Sequence, residues 1–142
     1  MKIAVICANG KAGQLIVKEA VNRGFDVTAV VKGENKSAAQ NAIVKDLFDL
    51  TAADLADFDV VVDAFGAWTP ETDFPEIFKP LANAMAKALR ELRERNDVKW
   101  TYISPAGDFQ ADGERTGKYI LAGEELTLNS KGESIISYAD YA

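Results

Sequence analysis

Lys2-Ile3-Ala4-Val5-Ile6-Cys7-Ala8-Asn9-Gly10-Lys11-Ala12-Gly13 is the stretch that decides how this chain folds. Its first six residues form an apolar run rich in Ile and Val. There is no polar alternation, the pattern of a strand buried on both faces of a parallel sheet. A glycine-containing turn follows. Leu15, Ile16, Ala20 and Val21 then recur at helical spacing on one face. Arg23-Gly24 supplies a C-terminal stop, and Asp26-Val27-Thr28-Ala29-Val30-Val31 reads as a second strand. The result is β-α-β within about 30 residues, the size of a mononucleotide-binding half-unit.

The alternation continues outward. Residues 33–41 are polar and loop-like, with room for one helical turn. Ala42-Ile43-Val44-Lys45 is a short third strand. A short helix spans 51–58, with Thr51 as N-cap and Asp54 at the capping-box position. Residues 59–65 form a fourth strand around Val60-Val61-Val62. A long helical region begins at Asp73, with Pro75 near its start and Pro80 breaking or restarting it. From Leu81, the residues Met85, Ala88, Leu89 and Leu92 lay down one apolar face. Residues 98–103 (Val-Lys-Trp-Thr-Tyr-Ile) read as a fifth strand closed by Ser104-Pro105. Tyr119-Ile120-Leu121, Leu126-Thr127-Leu128 and Ser134-Ile135-Ile136 read as short strands between turns. Strands alternating with helices predict an α/β domain, a Rossmann-like three-layer sandwich with a mostly parallel sheet. Ligands in such sheets bind beyond the carboxyl ends of the strands.

Composition narrows the chemistry. The 142 residues suffice for a single domain over 1–142, and 48% apolar with 27% charged residues is ordinary globular composition. The formal net charge of −6 argues against nucleic acid, whose phosphates need clustered Lys and Arg. It does not argue against a dinucleotide, which backbone N–H groups can hold. One cysteine and no histidine rule out Ser-His-Asp and Cys-His catalysis and speak against a zinc site. A single thiol suits a reducing compartment, and no apolar run approaches the roughly 20 residues that span a bilayer. The expectation is a cytoplasmic protein with no membrane partner.

The turn after the first strand has the spacing Gly-x-x-Gly-x-x-Gly with Cys7 in place of the first glycine. Gly10 keeps the role of letting backbone approach a pyrophosphate, and Gly13 that of close helix–strand packing. Cys7 puts a Cβ where the turn is tightest. The competing reading is a helix-initiating turn that holds no ligand. At the end of strand two, Lys32 comes first and could face a ribose 2′-phosphate, with Lys36 assisting. Glu34 is the rival, suited to a 2′-hydroxyl. This order favours NADP, with NAD as the alternative. Lys32 could equally be a solvated surface lysine, and Cys7 a buried strand-end residue rather than a redox thiol.

With these segments in view, the chain resembles atypical short-chain dehydrogenase/reductases, most closely the bacterial NAD(P)H-binding proteins of the NADH-flavin reductase-like group. The residues that carry the likeness are the turn ending Gly10-Lys11-Ala12-Gly13, Arg23-Gly24, Asp46-Leu47-Phe48-Asp49, Val60-Val61-Val62-Asp63-Ala64 and Trp100-Thr101-Tyr102-Ile103-Ser104-Pro105. Gly113-Glu114-Arg115-Thr116-Gly117 and Ile136-Ser137-Tyr138-Ala139-Asp140-Tyr141 add to it. The resemblance implies that Ala8, Asn9, Gly10, Lys11, Ala12 and Gly13 surround a pyrophosphate. It places Lys32 at the adenosine ribose, Asp46 and Leu47 near adenine, and Ala64 and Phe65 at the adenosine-side ribose. Ser104, Pro105 and Ala106 would approach the nicotinamide, with Ser104 as a weak catalytic candidate. The Ser104-Pro105 pair also reads as a plain strand-terminating turn. Residues 107–142 would form an irregular, partly β segment on the substrate side.

Relative to this family the chain is short. The family carries a helix, a central strand and a loop where this chain passes from Thr72 to Asp73, and it continues beyond Ala142. The 98–103 strand could then take the missing strand's place beside strand four. The C-terminal segments would be left exposing apolar surface, which invites a homodimer. Many short-chain dehydrogenases use a Tyr-x-x-x-Lys pair, but Tyr102, Tyr119 and Tyr138 are followed four residues on by Ala106, Gly123 and Ala142. Hydride transfer to a flavin or quinone needs no such pair, because solvent supplies the proton and the cofactor carries the chemistry. Asp63 reads as structural, and Trp68 as loop packing or a stacking surface.

Overall fold

The computed structural model describes residues 1–65 and 86–142. The chain divides into two compact units, one of Met1–Phe65 with Pro105–Ala142 and the other of Gly66–Ser104. In the first unit β1 (Lys2–Ile6) leads through the glycine turn into α1 (Lys11–Asn22), followed by β2 (Asp26–Val31) and β3 (Asn41–Val44). A 3-10 turn (Leu47–Asp49), α2 (Ala52–Leu55) and β4 (Val60–Asp63) complete the sheet half. All pairings are parallel, in the order β3-β2-β1-β4. That is the strand order of a Rossmann half-sheet, in which the chain reverses direction across the sheet between β1 and β4.

β1 is the centre of this unit because its residues feed both faces. Ile3 and Val5 join Val17 and Ala20 of α1 and Val27, Ala29 and Val31 of β2 in one buried cluster. Ala4 and Ile6 face the other way, with Val30, and meet Leu47, Leu50, Leu55 and Phe58. An apolar run without alternation is what a strand between two layers requires. α1 ends as its sequence predicts. Gly24 takes φ +78°, its N–H donates to the Val21 carbonyl at 2.9 Å, and the Phe25 N–H donates to the Ala20 carbonyl at 3.1 Å. This double bond pattern closes a helix on a left-handed glycine. At α2, the Asp54 carboxylate accepts from both the N–H and the hydroxyl of Thr51, at 2.8 and 2.7 Å. The 33–41 stretch forms no helical turn.

The C-terminal part of the first unit holds β5 (Asp108–Gln110) and β6 (Ile135–Ser137), paired in parallel. Residues 86–93 of the second unit are helical and are designated α3, and Tyr138–Tyr141 is α4. Asp140 gathers the segment. Its carboxylate accepts from the Thr116 and Gly117 N–H groups at 2.8 and 2.7 Å and from the Thr116 hydroxyl at 2.6 Å. Phe109 packs on Tyr138 and Tyr141. Arg115 reaches Glu19 on α1, with Nη2 to Oε1 at 3.1 Å, and ties this segment to the sheet half. The two guanidinium partners, Arg115 and then Arg23, hold the Glu19 carboxyl down at about 2.

Several expected strands are absent. Residues 98–103, 119–121 and 126–128 carry no strand pairing among the described residues. The described ladder of β4 is to β1. Strand propensity is expressed only where a neighbouring edge supplies the hydrogen bonds, and among the described residues no strand pairs with these segments. Ile120, Leu121 and Leu126 are 60%, 86% and 77% exposed, the apolar surface expected of that region. In the second unit Leu89 and Leu92 of α3 are half-buried and Ala88 is exposed. The expectations on Trp68, Asp73, Pro75, Pro80, Leu81 and Met85 lie outside the described residues.

Candidate functional site

The carboxyl ends of β1, β2, β3 and β4 meet at a cleft of about 230 Å³. It is lined by Ile6, Cys7, Val30, Lys32, Lys45, Asp46, Leu47, Phe48 and Phe65. The glycine turn sits beside it. The Gly10 N–H donates to the Cys7 carbonyl at 2.9 Å, and the Gln14 N–H donates to the Gly10 carbonyl as the first bond of α1. Gly10 caps the helix without a side chain, no acidic residue occupies the first turn, and Lys11 opens it. A helix N-terminus with no side-chain cap and no acidic residue in its first turn favours an anion. A Cβ on Gly10 would meet the Cys7 carbonyl at 3.3 Å, and one on Gly13 would lie 2.4 Å from it. The two glycines therefore let helix and strand approach closely enough to form the cradle a pyrophosphate needs.

Cys7 stands at φ +59°, the one non-glycine residue in the left-handed region among those described. The position demands what glycine offers, and a Cβ there costs about 1–2 kcal/mol. The side chain is half-buried; burial, then Asp63 and Asp46, push its thiol up from the usual range. A thiol held neutral is a poor nucleophile, which fits a strand-end residue. Cys7→Gly is expected to be about 1 kcal/mol more stable than Cys7→Ala, since both lose the thiol and only alanine keeps the strained Cβ. Urea denaturation of the two variants measures this, and equal stabilities would remove strain from the account of the turn.

Asn9 is used by the protein. Its side-chain amide donates to the Glu34 carbonyl, and its oxygen accepts the Lys36 N–H, both at 2.8 Å. The Gln14 amide takes the Asn9 carbonyl at 2.8 Å. Asn9 thus clips the β2–β3 loop to the glycine turn. Of the two rivals after β2, Lys32 lines the cleft, and Glu34 and Lys36 do not.

Lys32 is paired with Asp46 at 3.0 Å. Asp46 caps the 3-10 turn by accepting the Phe48 N–H at 3.0 Å. That bond and the Lys32 ammonium hold its carboxyl below the usual range. Lys45 is bound to Asp54 at 2.7 Å. With Lys45 and Thr51 as partners, the Asp54 carboxyl is held at about 2. Ala8 is fully buried and Ala12 half-buried at the turn, and Leu47 lines the cleft floor. Ala64 donates to the Ile6 carbonyl and packs into the core instead. Asp63 accepts the Phe65 N–H at 2.9 Å, a structural role. Pro105 and Ala106 are half-buried and do not line the cleft. Ser104 is exposed and belongs to the second unit. Sequence reasoning did not single out Lys45 or Phe48. The signal for Phe48 was an aromatic residue between acidic residues just after β3.

Among the described residues no helix is long and apolar enough to cross a membrane. No protein-family model matches the chain. A crystal structure from Streptococcus pneumoniae TIGR4, of a protein provisionally named an NADH-flavin reductase, is 48% identical with a TM-score of 0.89. That match covers 99% of this chain and 89% of the other. A Bacteroides thetaiotaomicron structure provisionally named an epimerase is 26% identical, with a TM-score of 0.82 over 99% of this chain and 86% of its own. The uncharacterized protein YwnB of Bacillus subtilis (strain 168) is 35% identical over 191 aligned positions, covering 100% of this chain and 89% of YwnB. Since this chain has 142 residues, at least 49 of those positions (191 less 142) fall opposite internal gaps in it. That is the internal shortfall the family resemblance implied. The fold, the glycine turn and the Streptococcus pneumoniae neighbour support an oxidoreductase-like dinucleotide-binding domain. The chain belongs to the NADH-flavin reductase-like family of atypical short-chain dehydrogenase/reductases.

Proposed function

We propose that this chain binds NADPH, and NADH as the alternative, and passes hydride to a small flavin or quinone. The observation that carries this reading is the glycine turn: a helix N-terminus without a side-chain cap, packed onto β1 and opening beside a cleft with both cationic and aromatic walls. The N–H groups of Lys11, Ala12 and Gly13 would hold the pyrophosphate against the positive end of α1, while the Gly10 N–H closes the turn on the Cys7 carbonyl. Leu47, Phe48 and Phe65 offer apolar surface to adenine and its ribose, and Lys32 offers charge to a 2′-phosphate. The family resemblance assigns Ser104, Pro105 and Ala106 to the nicotinamide side. The bound dinucleotide supplies the hydride. The protein's part is to hold donor and acceptor rings in contact, and Tyr102, Tyr119 and Tyr138, none with a lysine four residues on, favour an acceptor that takes its proton from solvent.

Anaerobic oxidation of NADPH in the presence of flavin mononucleotide, and separately of a soluble quinone, tests the reaction. Turnover proportional to protein with either acceptor is expected. Binding of NADPH without oxidation by any acceptor would instead make the chain a dinucleotide-binding redox sensor.

A further inference from the structure

Lys32 is the cation placed at the end of β2, yet its ammonium is committed to the Asp46 carboxylate at 3.0 Å. Asp46 is fixed where it stands. It lies two residues beyond β3, caps the 3-10 turn through the Phe48 N–H, and its side chain is 30% exposed against 86% for Lys32. The other lysine on the cleft, Lys45, is already held by Asp54, which is itself anchored by Thr51. Both cations on this wall are therefore neutralised by carboxylates belonging to the protein. A ribose 2′-phosphate reaching Lys32 must share it with Asp46, and two anions within a few ångströms on one ammonium repel. A 2′-hydroxyl meets no such opposition.

We propose that Asp46 is a specificity-determining residue that holds down the preference for a 2′-phosphorylated dinucleotide by competing with the phosphate for Lys32. The inference rests on the dinucleotide reading of the cleft. In consequence the native protein accepts both dinucleotides with affinities of the same order. The Lys32–Asp46 pair, rather than Lys32 alone, sets the ratio.

The test uses adenosine 2′,5′-bisphosphate and adenosine 5′-monophosphate, which differ by the 2′-phosphate alone, titrated calorimetrically into the native protein, Asp46→Asn and Lys32→Ala. Asparagine retains an oxygen to cap the Phe48 N–H, so the local turn is kept, and far-ultraviolet circular dichroism checks the fold. Asp46→Asn is expected to raise affinity for the bisphosphate relative to the monophosphate about tenfold, the weight of one charge-assisted contact. Lys32→Ala is expected to weaken the bisphosphate alone. If Asp46→Asn weakens both nucleotides together, Asp46 serves adenine and the proposal is overturned. If the ratio does not move, it is overturned as well. If the native protein binds neither nucleotide at millimolar concentration, the dinucleotide reading itself has failed, an outcome distinct from the other two.

Discussion

Gly10→Asp is expected to weaken dinucleotide binding by about a hundredfold or more while the protein stays folded. Gly10 lies at φ −68° and ψ 163°, a conformation open to any L-residue. Aspartate is a better N-cap than glycine, so α1 should not suffer. The new Cβ meets the Cys7 carbonyl at 3.3 Å, which a shift of a few tenths of an ångström relieves. The carboxylate, however, would satisfy the first-turn N–H groups itself and set a negative charge where the pyrophosphate belongs. Gly10→Ser separates charge from bulk: it caps equally well and carries no charge. Titration with NADPH, alongside circular dichroism, should show serine weakened much less than aspartate, whose binding should give no measurable signal. Equal losses in the two variants would mean that space alone matters at this position. Unimpaired binding in the aspartate variant would move the pyrophosphate away from α1.

Gly13→Ala should have the largest effect on stability, and its sign is opposite to what helix propensity alone suggests. In an ordinary helix interior the change gains about 1 kcal/mol. Here the added methyl would stand 2.4 Å from the Cys7 carbonyl oxygen and 3.0 Å from the Ala8 Cα. Both obstacles are backbone, so no side chain can swing aside and α1 must lift off β1. Val17 and Ala20, which pack against β1 and β2, would lose contact as it does. The expected loss is about 3 kcal/mol or more, at the upper end of overpacking costs. That is a large share of the roughly 5–15 kcal/mol that holds a domain folded. Urea denaturation checks it, and a gain in stability would show that helix and strand are not as close as described.

The part of the fold visible in the sequence is the part whose partners are near in the chain. The run from Ile3 to Ile6 announced a doubly covered strand, Gly24 a left-handed stop, and Thr51 with Asp54 a capping box, and each depends on neighbours within a few residues. Residues 98–103 and 119–121 have strand-like composition. Whether such a segment pairs is decided by a distant edge that local pattern does not encode. The site divides the same way. The Cys7 to Gly13 turn was legible from spacing. The cleft is assembled from the ends of four strands, which is why Lys45 and Phe48 were not anticipated. Lys32 was singled out as a cation after β2, but its commitment to Asp46 is a tertiary fact. The same holds for the bond of Arg115 to Glu19, and for Asp140 as the anchor of Thr116 and Gly117.

The central claim is that the glycine turn of this shortened chain still holds a nicotinamide dinucleotide. Isothermal titration of the native protein with NADPH, and then with NADH, tests it most directly. The account predicts saturable one-to-one binding of both at micromolar concentrations, abolished by Gly10→Asp. No heat of binding for either at about 1 mM, where the binding free energy falls to roughly 4 kcal/mol, would contradict it. The chain would then keep the fold of its family without the cofactor site.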